Sequence, residues 1–161
     1  VLFRSTFNFG YLKPMFSRDF LKDHDLMFDE GIRIGEDYLL LASALASGGI
    51  CAVEPEPGYI YNVREGSISR VLKLEHVDAM VAADQRFLTF YNLDSAAAVA
   101  QQRRTRSLEE ARAFLILVEN IKQKSLIGSL QVALRNPRAL RHLQMPIAKR
   151  LRRLLGIQKR L

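Results

Sequence analysis

One predicted helix constrains this chain more than any other feature, because its side chains are apolar on every face. It begins at Glu36-Asp37, continues through a run of Leu and Ala, and ends at Gly48-Gly49, where glycine can take the left-handed conformation that stops a helix. A surface helix has a single apolar stripe, so an apolar surface all round predicts burial inside a larger structure. Two carboxylates are therefore expected at the start of a core helix.

The segments around this helix predict an α/β arrangement. Ser17 can cap a short helix, and Asp19 two residues later places a negative charge in its first turn, so the pair predicts a helix start. Ser107 and Glu110 form a capping-box pattern that predicts another helix start. Aromatic and β-branched residues predict short extended segments or strands at Phe7–Phe16, Ile50–Val53 and Tyr59–Val63. Three short strands cannot enclose an apolar helix, so we expect further elements upstream to complete the core.

Composition and charge exclude several classes of protein. The chain has 161 residues, enough for one domain, and its single cysteine, Cys51, rules out a disulfide-dependent scaffold. No apolar run is long enough to span a bilayer, and no signal-peptide pattern is present. The net charge is +7, yet residues 120–161 hold eleven Lys and Arg and no acidic residue. The basic end and the rest of the chain are expected to meet different partners.

The basic end predicts a helical region with an amphipathic segment at 146–161. Ile147, Leu151 and Leu154 share one face of that segment, and cations occupy the others. Such a helix suits an anionic membrane surface, and equally suits packing on the body of the chain or on a second copy. The sequence has no recognisable nucleic-acid-binding motif and no aromatic residues interspersed among the cations to stack on bases, so nucleic acid is not an expected partner.

The residues that flank the acidic helix start can carry chemistry. An ionised, partly desolvated Asp37 can act as a general base, and a loop containing Arg64, Ser67 and Ser69 can hold a phosphate or a sugar. The simpler interpretation is structural. Acids favour helix starts through the helix dipole, serines favour turns, and Lys13 and Arg64 resemble ordinary surface cations.

Taken in order, these motifs resemble the acceptor-side half of family 2 glycosyltransferases, especially bacterial exopolysaccharide enzymes of the succinoglycan-biosynthesis type. The resemblance covers roughly residues 8–91, with a helical, basic region beyond. The segments that carry it are Gly10–Phe16, Ser17–Leu21, Phe28–Tyr38, Glu54–Pro57, and the residues Tyr59, Tyr61, Arg64 and Gly66–Ser69.

This resemblance implies a GT-A, Rossmann-like α/β fold and an inverting transfer of sugar from a nucleotide-diphosphate donor to an acceptor hydroxyl. Residues 1–92 would be the acceptor-side part of that fold, and residues 93–161 a helical extension. Asp37 would remove the proton from the attacking hydroxyl, and Glu36 would position the acceptor or support the base. The substrate-binding residues would be Lys13, Arg64, Ser67 and Ser69.

The chain also departs from the family pattern. Family members place a nucleotide-binding half first, ending in an Asp-x-Asp that holds Mg²⁺ or Mn²⁺, and residues 1–161 do not include that half. Asp23-His24-Asp25 matches the string but follows the short helix, which indicates a helix-end turn. We therefore expect the metal ligands to lie outside this chain, this chain alone to be inactive, and its parent to be the enzyme.

The resemblance further implies a cytoplasmic protein that acts on a glycan or lipid-linked acceptor, and the basic segment 146–161 allows peripheral contact with the inner face of the membrane. An apolar surface left exposed where the donor half would sit predicts self-association. The rival hypothesis is a non-catalytic helical module that docks through its basic tail. The transferase hypothesis expects Asp37 to open into a cleft shared with Arg64 and Ser67. The rival expects Asp37 to bond its own helix and face solvent.

Overall fold

The computed structural model describes residues 14–54, 56, 58, 60 and 72–143, with side chains described up to residue 140. In this part of the chain the regular structure is helical throughout. The elements are α1 (Arg18–Asp23), α2 (Glu36–Ala46), α3 (Leu74–Phe90), α4 (Ser95–Lys122), α5 (Leu126–Arg135) and a 3₁₀ helix, Pro137–Leu143.

The predicted α/β fold is wrong, because none of the described residues forms a strand. Ile50–Val53 is irregular backbone, with Ile50 98% and Val53 59% exposed. A β-branched segment becomes a strand only when a second strand pairs with it, and no described segment does so. The other two predicted strands, Phe7–Phe16 and Tyr59–Val63, fall mostly outside the described residues.

The chain divides into two compact units, Val1–Thr105 and Arg106–Leu161. In the first unit, α1 begins where it was predicted to begin, because the Ser17 side chain accepts a hydrogen bond from the Phe20 N–H at 3.3 Å. One core cluster joins α1 to α2, and α2 also packs against α3. The members of this cluster are Leu26, Leu40 and Ala44, with Phe16, Phe20 and Leu21 packed against them.

Three helices end with the same turn, in which one residue takes a positive φ. After α2 this residue is Gly48, at φ 89°, and the Gly49 N–H donates to the Ala44 carbonyl at 2.9 Å. The predicted glycine stop is confirmed. Asp25 after α1 and Lys124 after α4 occupy the equivalent position, at φ 50° and 57°. These two are non-glycine residues in a left-handed conformation, so the surrounding hydrogen bonds must offset their backbone strain.

Within the described residues α2 is buried along one stripe, and its burial on every face inside a larger structure stays a prediction. Only Leu40 and Ala44, one turn apart, are buried, whereas Leu45 is 47% exposed. The described neighbours of α2 cover this one stripe and leave much of the remaining apolar surface in contact with water. The helix is therefore apolar all round by sequence but packed along one side.

The second unit contains the rest of α4, α5 and the 3₁₀ helix. Its buried residues are Leu108, Ala111, Ala113, Leu117 and Ala139.

The helix start predicted at Ser107 is wrong, since Ser107 lies inside α4. The true start is capped by Asp94, whose Oδ1 accepts from the Ala97 N–H at 2.7 Å. No helix among the described residues has the length and apolarity to cross a bilayer.

Candidate functional site around the start of α2

The two predicted catalytic carboxylates open α2 as its first two residues. Glu36 is partly buried and Asp37 is exposed. The Asp37 Oδ1 accepts a hydrogen bond from the Tyr38 N–H at 2.7 Å. Free N–H groups and the helix dipole both favour negative charge at this position. Asp37 thus bonds its own helix and meets solvent, as the docking-module hypothesis expects for this residue.

Glycine is required immediately before the acidic pair. Gly35 caps α2 at φ 90°, a conformation that side chains disfavour. A Cβ at Gly35 would lie 3.0 Å from the Met80 Sδ of α3. The missing side chain therefore lets the start of α2 approach α3 closely, which fixes where Glu36 and Asp37 emerge.

A polar cluster from α3 and α4 contacts the next residue, Tyr38. The Arg104 guanidinium of α4 lies over the Tyr38 ring, 3.6 Å from its centroid. Arg104 Nε also donates to both carboxylate oxygens of Asp84 on α3, at 2.9 and 3.1 Å. Asp84 is buried, at 4% exposed, so its charge is compensated by Arg104 where water is excluded. The ion pair and the ring contact connect α2, α3 and the first part of α4.

Gln101 completes this cluster one turn before Arg104. The Tyr38 hydroxyl donates to the Gln101 Oε1 at 3.0 Å. Gln101 is buried, and its Nε2 has no hydrogen-bond partner among the described atoms. Burial raises the pKa of Tyr38 above its ordinary value, although the Arg104 charge acts in the opposite direction. The phenol therefore keeps its proton at neutral pH and remains the donor.

Together these contacts hold the first turn of α2 against α3 and α4 while Asp37 faces outward. An exposed carboxylate on a turn held in this way can accept a proton from a hydroxyl group placed against it. Tyr38, Asp84, Gln101 and Arg104 were not predicted as site residues. Tyr38 opens an apolar run and Asp84 follows two alanines, but Gln101 and Arg104 lie in the polar run 101–106, so the sequence does not reveal which residues meet.

The remaining predicted site residues, Lys13, Arg64, Ser67 and Ser69, lie outside the described residues, as does the segment 146–161. Their roles, and the cleft shared with Asp37, stay predictions. Asp23-His24-Asp25 is confirmed as a helix-end turn: His24 caps α1 and Asp25 takes the positive φ. No three His, Cys, Asp or Glu side chains in the described part of the chain are grouped to hold a metal ion.

Comparison with known proteins identifies two bacterial relatives. The chain is 65% identical over 154 residues, or 96% of its length, to the succinoglycan biosynthesis protein ExoO of Rhizobium meliloti (strain 1021). It is 32% identical over 131 residues, or 81% of its length, to the succinoglycan biosynthesis protein ExoU of the same organism. The likeness to proteins of the succinoglycan-biosynthesis type is confirmed.

The match covers only part of each relative. The chain spans 44% of ExoO and 38% of ExoU. No family model matches the chain, and no solved structure matches it. The glycosyltransferase activity implied by the sequence motifs is consequently a matter for proposal and test.

The raised pKa of Tyr38 predicts a specific loss of stability in alkali. Folded chains keep the phenol proton at pH values where unfolded chains have lost it. The stability that this proton contributes is therefore complete below the ordinary tyrosine pKa of 10.0, and it is lost as the pH rises through the pKa of the folded state. We expect the free energy of unfolding to fall more steeply for the wild type than for Tyr38→Phe. Urea unfolding of both proteins between about pH 8 and about pH 11 measures this. Parallel curves would show that the Tyr38 proton makes no such contribution.

Proposed function

We propose that this chain acts in exopolysaccharide biosynthesis, as part of a protein that transfers a sugar from a nucleotide-diphosphate donor to an acceptor hydroxyl. The observation that carries the proposal is the 65% identity to ExoO across 96% of the chain. The relative's name supports the biosynthetic process, and the motifs around Glu36-Asp37 support the type of reaction. The transferase is the whole protein that contains these residues.

In this proposal Asp37 is the general base. The acceptor oxygen attacks the anomeric carbon of the donor sugar, the bond from that carbon to the diphosphate breaks, and the hydroxyl proton passes to the Asp37 carboxylate. The exposed position of Asp37 leaves room for an acceptor, and the Tyr38–Arg104–Asp84 contacts keep its turn in place. Glu36, beside it and partly buried, would position the acceptor or support the base.

Donor and acceptor binding would fall to the predicted residues Lys13, Arg64, Ser67 and Ser69. Arginine and serine donors suit a diphosphate or a sugar hydroxyl. The described residues do not offer a set of ligands for the expected Mg²⁺ or Mn²⁺. We propose that its ligands lie outside this chain. We also propose that the acceptor is a glycan or a lipid-linked sugar at the inner face of the membrane. The segment 146–161 would contact that membrane, and the protein would self-associate.

A chimera tests the proposal directly. The segment of ExoO that matches this chain is replaced by the chain itself, and the product is expressed in a strain lacking ExoO. We expect restored succinoglycan production, and transfer of label from one member of a panel of nucleotide-diphosphate sugars in membrane extracts. A folded, expressed chimera that restores neither would contradict the proposal.

The docking-module hypothesis remains the second candidate, because Asp37 bonds the N–H of its own helix and faces solvent. It predicts that the chimera works equally well with Asp37 neutralised. The transferase proposal predicts that the same substitution stops sugar transfer.

A further inference from the structure

Helix α5 presents its largest apolar side chains to solvent. At 3.6 residues per turn, four of its residues fall within an arc of about 100°. All four are exposed: Leu126 83%, Ile127 75%, Leu130 60% and Leu134 74%. No residue of α5 is buried. A contiguous apolar stripe of this kind is typical of an interaction surface.

The opposite face of α5 is the one that packs, and its residues are small. Gly128, Ser129, Val132 and Ala133 are partly buried. A Cβ at Gly128 would lie 3.0 Å from the Asn120 Nδ2 of α4, so glycine permits this close approach. Ser125 caps α5 by accepting from the Gly128 N–H, and the Ser129 hydroxyl donates to the Ser125 carbonyl at 2.7 Å. The turn thus holds the small face inward and the four large residues outward.

Positively charged residues flank α5 at both ends. Lys122 and Lys124 precede α5, Arg135 ends it and Arg138 follows, and no acidic residue occurs after Glu119. Lys122 contacts Glu119 at 3.5 Å and Arg138 contacts Glu110 at 3.6 Å. Both cations are themselves mostly exposed to solvent, so these long contacts hold them weakly. A second copy of α5 would bring the same cations and be repelled. A partner that complements α5 would have an apolar layer to receive the leucines and isoleucine, and negative charge at its edge to meet the cations.

We propose that α5 docks on an anionic lipid bilayer, lying in its interface. Leu126, Ile127, Leu130 and Leu134 enter the acyl boundary, and the cations at the two ends of α5 meet lipid phosphates. Lysine and arginine reach the headgroups while their alkyl stems stay against the apolar region. This surface is distinct from residues 146–161, and the proposal does not depend on the sugar-transfer reaction.

Vesicle sedimentation of the full chain tests the proposal. We expect binding to vesicles of phosphatidylcholine mixed with phosphatidylglycerol, and little binding to phosphatidylcholine alone. Leu130→Glu should weaken binding to the mixed vesicles by at least about tenfold, and the neutral Leu130→Gln should weaken it less. The matched control is Phe90→Glu, which places the same charge at an 82% exposed apolar residue of the first unit and should bind as the wild type does.

Each other outcome overturns the proposal. Unchanged binding of Leu130→Glu would assign the contact to residues outside α5, and equal binding to both kinds of vesicle would remove the role of charge. A concentration-dependent dimer that Leu130→Glu dissociates, in a chain that binds neither vesicle, would identify a second copy as the occupant. Far-UV circular dichroism confirms that both Glu variants keep their helices.

Discussion

Replacing Arg104 with Met is expected to lower the free energy of unfolding by about 3 kcal/mol, since it leaves the buried Asp84 carboxylate without its cation. Loss of the guanidinium over the Tyr38 ring adds to the effect. For a unit of this size the melting temperature should fall by roughly 10 to 20 °C. Thermal and urea unfolding, followed by circular dichroism, measure both quantities.

Two variants isolate the buried charge as the cause. Arg103→Met makes the same chemical change at the exposed neighbouring arginine and should alter stability little. Asp84→Leu combined with Arg104→Met removes both charges and should recover most of the loss, because no unpaired ion is left in the core. If the double variant were as unstable as Arg104→Met alone, the loss would come from packing and not from the unpaired carboxylate.

Asp37→Asn is expected to reduce sugar transfer by the chimera about a hundredfold or more, since an amide cannot accept the hydroxyl proton. Donor binding should persist, because the substitution leaves the proposed diphosphate contacts intact. Initial rates with labelled nucleotide-diphosphate sugar, together with donor affinity measured separately, test the two expectations.

The chain supplies a closely matched control for Asp37. Asp19 is likewise an acidic residue in the first turn of a helix, second in α1 as Asp37 is second in α2. Asp19→Asn and Asp37→Asn should each weaken a helix-dipole interaction by about 0.3 to 1 kcal/mol. Only Asp37→Asn should affect transfer. Near-normal turnover of that variant would exclude Asp37 as the base and favour the docking module.

Helix ends were predictable from sequence because their signals are local. Ser17 caps the N–H of a residue three positions away, and the Gly48-Gly49 stop involves carbonyls within one turn and a half. The acidic start of α2 was predictable for the same reason. A capping-box pattern such as Ser107 with Glu110 also occurs inside long helices, and α4 starts earlier, at the Asp94 cap.

Features that depend on distant parts of the chain were not predictable in this way. Tyr38 meets Gln101 across 63 positions and Arg104 meets Asp84 across 20, and no periodicity records which helix faces will touch. The strand predicted at Ile50–Val53 needed a pairing partner that propensity cannot supply. The stripe of α2 that the described residues bury, at Leu40 and Ala44, was not predictable either, because apolar composition shows what a helix could bury and not which side its neighbours cover.

The left-handed residue between α4 and α5 would determine how α5 meets the proposed bilayer. With Lys124 at φ 57° and the Ser125 N–H bonded to the Asn120 carbonyl at 2.9 Å, the direction of α5 is set by backbone geometry before any encounter. A lipid surface would therefore meet a helix whose four apolar side chains already face it. Little conformational entropy is left to lose on contact, so even four side chains can give measurable affinity.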